Sequence, residues 1–237
     1  VRTAFVTGAN RGIGFEITKQ LLQQGDFVLA ACRAPALAAD LAGLGSEAEA
    51  RLRVLQLDVA DENSIQAAAS ETARLVDRVD LLYNSAGLLG KLGRNLERES
   101  RAFGELRAAA LAEILAINAI GPLLVTQALM PLLRGSRVVN LTSSMGSNGL
   151  MNRGDWYGYR ASKAALNMIT RALSFDLRET DVIAVAMHPG WVRTTQGGED
   201  APYPVEENVR SMRAVVDSLK PEDSGKYLNW KGEELPW

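Results

Sequence analysis

Thr3-Ala4-Phe5-Val6-Thr7-Gly8-Ala9-Asn10-Arg11-Gly12-Ile13-Gly14 is the stretch on which the fold turns. A short apolar run ends at Gly8. Apolar residues then recur at helical spacing, at Ile13, Ile17, Leu21 and Leu22, and Gly25 stands where a helix C-cap would. Strand, glycine turn and helix follow one another without a spacer. Glycines here allow a tight turn, close approach of the backbone to a phosphate, and close packing of helix on strand. The helix N-terminus adds unpaired N–H groups and a partial positive charge, so the turn suits a pyrophosphate. Its spacing is Gly-x3-Gly-x-Gly, not the commoner Gly-x-Gly-x-x-Gly, and no Gly-Lys-Ser/Thr follows, which argues against a nucleoside-triphosphate loop.

Outward from that turn, the pattern alternates. Phe27–Cys32 reads as a second strand, 54–57 as a third, 81–83 as a fourth, Arg137–Leu141 as a fifth and 183–187 as a sixth, with a late strand at 226–230. Between them, Asp61 caps a helix to about Val76, and a long helical region runs from about Phe103 to Leu133, bent at Gly121-Pro122. Further helices carry Tyr159 and span about Val205 to Leu219. Strands alternating with helices of this length predict an α/β fold: a single Rossmann-type domain over 1–237, doubly wound, with a mostly parallel sheet of about seven strands and helices on both faces.

Composition excludes several classes. The net charge of −2, with basic residues scattered, gives no reason to expect nucleic acid or an acidic membrane surface. No apolar run approaches the ~18 residues of a membrane span, and no leader pattern precedes the first strand. The one cysteine, Cys32, forbids an internal disulfide and suits a reducing compartment, so a soluble cytoplasmic protein is expected. His188 is the only histidine and has no partners at ligand spacing, so no metal site is expected.

Tyr159 and Lys163 lie four residues apart in Trp156-Tyr157-Gly158-Tyr159-Arg160-Ala161-Ser162-Lys163, on one face of a helix. An ammonium beside a phenol favours the phenolate, and a tyrosine of lowered pKa is a proton donor to a carbonyl. Such a pair arises readily by chance, so its weight depends on company. Thr7-Gly8-x3-Gly12-x-Gly14, Asn84-Ser85-Ala86-Gly87, Asn118, Ser143-Ser144, Tyr159-x3-Lys163 and Pro189-Gly190 together resemble the short-chain dehydrogenase/reductase family in order and spacing. Gly158 to Asn167, His188 to Thr194, and the tail from Gly225 to Trp237 look most like the sniffer-like and C-factor-like carbonyl reductases.

The resemblance implies roles. Tyr159 would protonate the substrate oxygen, Lys163 would bind the nicotinamide ribose and hold the tyrosine pKa down, and Asn118 would support a water leading from Lys163 to solvent. Ser144 would polarise the carbonyl; Ser143 is adjacent, and the interval from Ser144 to Tyr159 is longer than is usual in the family, so the choice between the two stays open with Ser144 favoured. Gly8, Asn10, Arg11, Gly12, Ile13 and Gly14 would hold the pyrophosphate side. Asp58 and Val59 would adjoin the adenine; Asn84, Ala86 and Gly87 a ribose; Pro189, Gly190, Val192 and Thr194 the nicotinamide and phosphates. Ser85 stands where the family usually has a second asparagine.

Arg33 follows the second strand where a carboxylate would bind a ribose 2′-OH. With Arg11 in the turn, two guanidiniums near one phosphate favour NADP(H). Residues 195–210 would form a short substrate lid. The expected function is NADP(H)-dependent reduction of a small-molecule aldehyde or ketone; the alternative is an NADP(H)-binding signalling protein with little turnover. The Ala- and Leu-rich helices around 108–133 and Tyr159 would build a homodimer or homotetramer, as the resemblance implies.

Overall fold

The computed structural model describes residues 1–44, 50–90 and 96–237. Its strands are β1 (Thr3–Thr7), β2 (Phe27–Cys32), β3 (Leu52–Gln56), β4 (Leu81–Asn84), β5 (Arg137–Leu141), β6 (Ile183–His188) and β7 (Tyr227–Asn229). They form one seven-stranded sheet in the order β3-β2-β1-β4-β5-β6-β7, and every strand pairing is parallel. The expected doubly wound α/β fold is the one observed. Its sense of winding reverses between β1 and β4, where the carboxyl ends of two neighbouring strands part and leave a crevice.

Side chains alternate strictly across the sheet. Ala4 and Val6, Val28 and Ala30, Leu81 and Tyr83, Ile183 and Val185 join one core, which receives Ile17 and Leu21 of α1 (Gly12–Gln23) and Val209, Met212 and Val216 of a late helix. Phe5, Leu29, Leu82, Val138 and Ala184 point the other way, onto Ile65, Ala68, Val125, Leu129, Leu173 and Leu177. This period of two, with both phases apolar, is what a sheet covered on both faces requires.

The remaining α-helices among the described residues are α2 (Ala39–Ala42), α3 (Glu62–Leu75), α4 (Leu96–Arg101), α5 (Ala108–Leu115), α6 (Gly121–Leu129), α7 (Tyr157–Asp176) and α8 (Val205–Ser218). Asp61 caps α3 as expected, its carboxylate accepting from the Asn63 N–H. The helical region expected from Phe103 instead starts at Ala108, and α4 precedes it as a separate piece. Its bend is a π-helical turn over Ala116–Ile120, ahead of Gly121-Pro122. Pro122 has no N–H for the carbonyl of Asn118, four residues back, and its ring crowds that carbonyl, so a widened turn relieves both.

Together Ala108–Leu132 forms a 25-residue run long and apolar enough, by length and composition only, to cross a membrane. That corrects the expectation that no stretch reaches such a length. Glu113, Asn118 and Gln127 break the linear apolar pattern, so the run emerges only once the pieces are stacked end to end. Here it lies on the sheet, with Val125 and Leu129 in the second core.

Candidate active site

The glycine turn sits at the crevice between β1 and β4. Gly8 and Gly12 take positive φ, 65° and 56°, which glycine adopts without strain. A Cβ on Gly8 would come within 2.8 Å of the Ala86 backbone, so the turn lies directly against the loop after β4. Thr7 fastens the two: its hydroxyl accepts from the N–H groups of Ser85 and Ala86, both at 3.0 Å. That role for Thr7 was not read from the sequence, although a hydroxyl ending a strand beside a glycine turn is a signal for it.

Arg11 is extended at the N-cap of α1, no side chain caps the helix, and its first turn holds no acid. Unspent backbone donors and a positive helix end fit a phosphate. Arg11 and Arg33 are both exposed, without an ion-pair partner among the described residues. Asp58 follows β3 and accepts from the Ala60 N–H; Val59 is buried, with its carbonyl against Gly121. The residues present therefore fit a nicotinamide dinucleotide.

Asn84 has a structural part at the end of β4. It is buried, and its side-chain amide donates to Asn140 Oδ1 at 2.8 Å and Thr126 Oγ1 at 3.2 Å, while Asn140 donates to Thr170 Oγ1 at 2.9 Å. Through Asn140 this network ties β4 and β5 to α6 and α7, and Asn84 Oδ1 is buried without a partner among the described residues.

Beyond the crevice, Asn118, Ser143, Tyr159 and Lys163 are drawn together and nearly sealed, at 0%, 9%, 9% and 5% exposure. Asn118, in the π turn, exchanges two hydrogen bonds with the Leu88 backbone (2.7 and 2.8 Å) and donates to Ser162 Oγ. Gly87 adjoins it: a Cβ there would lie 3.5 Å from Asn118 Oδ1 and 3.7 Å from Lys163 Nζ. Lys163 donates to the Leu141 carbonyl at 2.7 Å, and its ammonium stands 5.7 Å from the centre of the Tyr159 ring. The sequence places these two on one helix face, and so does the structure.

The two serines differ in their surroundings. Ser143, not Ser144, shares a side-chain hydrogen bond with Tyr159. Ser143 ends the extended run from β5 in β conformation, whereas Ser144 opens a 3-10 turn, Ser144–Gly146, and is only half-buried. One residue's step at the end of a strand reverses the direction of the side chain. Behind Ser143, the Tyr227 hydroxyl donates to its carbonyl at 2.7 Å, a support the sequence reading missed because β7 lies more than eighty residues away.

Burial dominates the electrostatics of the cluster. Burial pushes the Tyr159 phenol up to about 12, with the Ser143 hydrogen bond pulling the other way. Burial pushes Lys163 down to about 8. Desolvation thus dominates at both groups, while the Lys163 ammonium bonds a carbonyl and faces the Tyr159 ring. Burial also pushes His188 down to about 4. Its Nδ1 is buried without a protein partner, and Trp230 meets the ring edge-on at 5.7 Å.

On the far side, Pro189 accepts through its carbonyl from Asn208, Gly190 takes a φ of 84°, and Val192 is buried in a bridge to Tyr203. A Cβ on Gly12 would lie 3.6 Å from the Thr194 methyl, so Thr194 borders the glycine turn. Val205 begins α8, so the expected 195–210 segment takes in the first turns of that helix.

A parallel sheet wound both ways from an uncapped glycine turn, ending in a sealed tyrosine–lysine pair, defines a dinucleotide-dependent oxidoreductase. The chain belongs to the short chain dehydrogenase family, whose model matches residues 2–202. It is 44% identical to C-signal of Myxococcus xanthus over 162 residues, covering 67% of this chain and 93% of that protein. It superposes on an NADPH-bound carbonyl reductase from chicken fatty liver with a TM-score of 0.90 at 35% identity, covering 100% of this chain and 99% of the other. The carbonyl reductase Sniffer of D. melanogaster gives 0.91 at 26% identity, with both chains covered fully. The subgroup likeness expected from the sequence is borne out.

Proposed function

We propose that the protein is an NADP(H)-dependent reductase of small aldehydes and ketones. The observation that carries this reading is the sealed cluster of Asn118, Ser143, Tyr159 and Lys163 beside a phosphate-compatible turn. NADPH, when bound, supplies the hydride. The substrate oxygen lies between the Ser143 and Tyr159 hydroxyls, where Ser143 donates a hydrogen bond to the developing oxyanion and Tyr159 gives up its proton. A phenol pushed up to about 12 stays protonated at neutral pH and so carries the proton that the alkoxide needs. Lys163, on its Leu141 anchor, would hold the nicotinamide ribose, and Asn118 is tied to the Leu88 backbone beside it.

Arg11 and Arg33, exposed and unpaired, favour a 2′-phosphate, in keeping with the NADPH named for the chicken structure. The same reading extends to a soluble cytoplasmic protein that pairs through α5 and α7, near which Ile120, Met168 and Phe175 are exposed.

NADPH oxidation with a panel of aldehydes, ketones and quinones tests the reading. Tyr159→Phe should cut turnover by about 10²- to 10⁴-fold while NADPH binding persists. Undiminished turnover in that variant removes Tyr159 as donor. The second reading, a signalling protein that binds NADP(H), draws on the likeness to C-signal; it predicts NADPH binding without turnover of any carbonyl.

A further inference from the structure

The chain returns to the site after β7. Asn229 accepts from the Gly232 N–H at 3.0 Å, Glu234 bridges back to Leu228 in antiparallel sense, and the Leu235 N–H donates to Tyr227 O at 2.8 Å. This short hairpin carries Pro236 and Trp237 onto the loop that follows the serines. Ser147 Oγ donates to the Pro236 carbonyl, and the Gly149 N–H donates to the Trp237 carbonyl at 2.8 Å. The Trp237 ring packs on Tyr227, centres 5.4 Å apart at 33°, and Tyr227 in turn holds the backbone of Ser143.

A carbonyl oxygen placed between Ser143 and Tyr159 must direct its two substituents away from both hydroxyls and from the glycine turn. The covering next to Ser143 is the 147–151 loop and the hairpin fastened to it, with Leu150, Met151 and Trp237 each about half exposed. We propose that Trp237 is a specificity-determining residue: its ring walls the substrate side and limits the size of the apolar substituent that a carbonyl can carry. The inference rests on the reduction reading above and adds a selector to it. Two backbone anchors and a buried tyrosine keep the wall in place, so a bulky group must displace the ring or stay out.

The test compares the parent with Trp237→Ala and Trp237→Phe, using NADPH and a graded series: propanal, benzaldehyde, acetophenone and benzophenone. In Trp237→Ala the ratio of kcat/KM for benzophenone to that for propanal should rise at least about tenfold, the scale on which a pocket discriminates apolar bulk. NADPH affinity should not change, and Trp237→Phe should keep most of the parent's order. An equal change for every carbonyl overturns the proposal, because it makes the hairpin a support and not a selector. Should Trp237→Ala fail to fold, Trp237→Leu carries the same comparison. If the parent binds NADPH but oxidises it with no carbonyl, the reduction reading falls by itself. Calorimetry of the same carbonyls with NADPH-loaded parent and variant then decides the wall: an altered size order supports it, while an unaltered order or no binding overturns it.

Discussion

Ser143 and Ser144 are neighbours with opposite surroundings, and the difference is measurable. Ser143 is sealed against Tyr159 and backed by Tyr227, whereas Ser144 begins a turn. Ser143→Ala should lower kcat by about 10²- to 10³-fold, the usual cost of losing one oxyanion donor. Ser144→Ala should change it by no more than a few-fold. Steady-state kinetics of the two variants with one aldehyde separate them; a larger loss at Ser144 sinks the assignment. The sequence shows two serines just after β5 but not which one faces Tyr159, because direction depends on where the extended run gives way to the 3-10 turn. Arg33 poses a similarly local question. Arg33→Asp should cut kcat/KM for NADPH by at least about tenfold, since a hydrogen bond to a charged group contributes roughly 1.5–3 kcal/mol. NADH should gain relative to NADPH. Parallel loss with both cofactors would mean that Arg33 does not read the phosphate.

At the scale of the element, the break between α5 and α6 joins fold to site. Gly121-Pro122 made an irregularity legible, but not that it places Asn118 on Leu88 across the crevice. Asn118→Ala removes a partner from the Leu88 N–H and from the Leu88 carbonyl, both in a buried setting. Each orphaned group costs about 1–3 kcal/mol. Urea unfolding should therefore show a loss of at least about 2 kcal/mol, together with a fall in turnover. Gly121→Ala tests packing alone: its Cβ would come within 2.6 Å of the Val59 carbonyl oxygen, so α6 must lift from the loop after β3. About 1–3 kcal/mol is the usual cost of such overpacking. A neutral Gly121→Ala would show that the loop gives way freely.

Across the whole molecule, the doubly wound sheet was legible because short apolar runs alternate with helical patterns of ten or more residues, and the structure covers both faces of the sheet accordingly. What long-range folding adds, such as Tyr227 behind Ser143 and the return of Trp237, leaves no local periodicity to read. His188 shows the same limit. A lone histidine offers no ligand set to read in a sequence, but its burial where β6 meets Trp230 links it to global stability. Burial lowers its pKa from 6.5 to about 4 in the folded chain. Above pH 6.5 the ring is neutral in both states and costs nothing. As pH falls through that range the unfolded chain takes up a proton that the folded chain refuses, so stability is lost until about pH 4. The loss reaches about 2 kcal/mol by pH 5. Urea midpoints of the parent and of His188→Gln, taken at pH 7.5 and pH 5, isolate this contribution, because other titrating groups act equally in both. The parent should fall further than the variant by that amount; equal falls would mean that the imidazole is protonated in the folded protein as readily as in the unfolded chain.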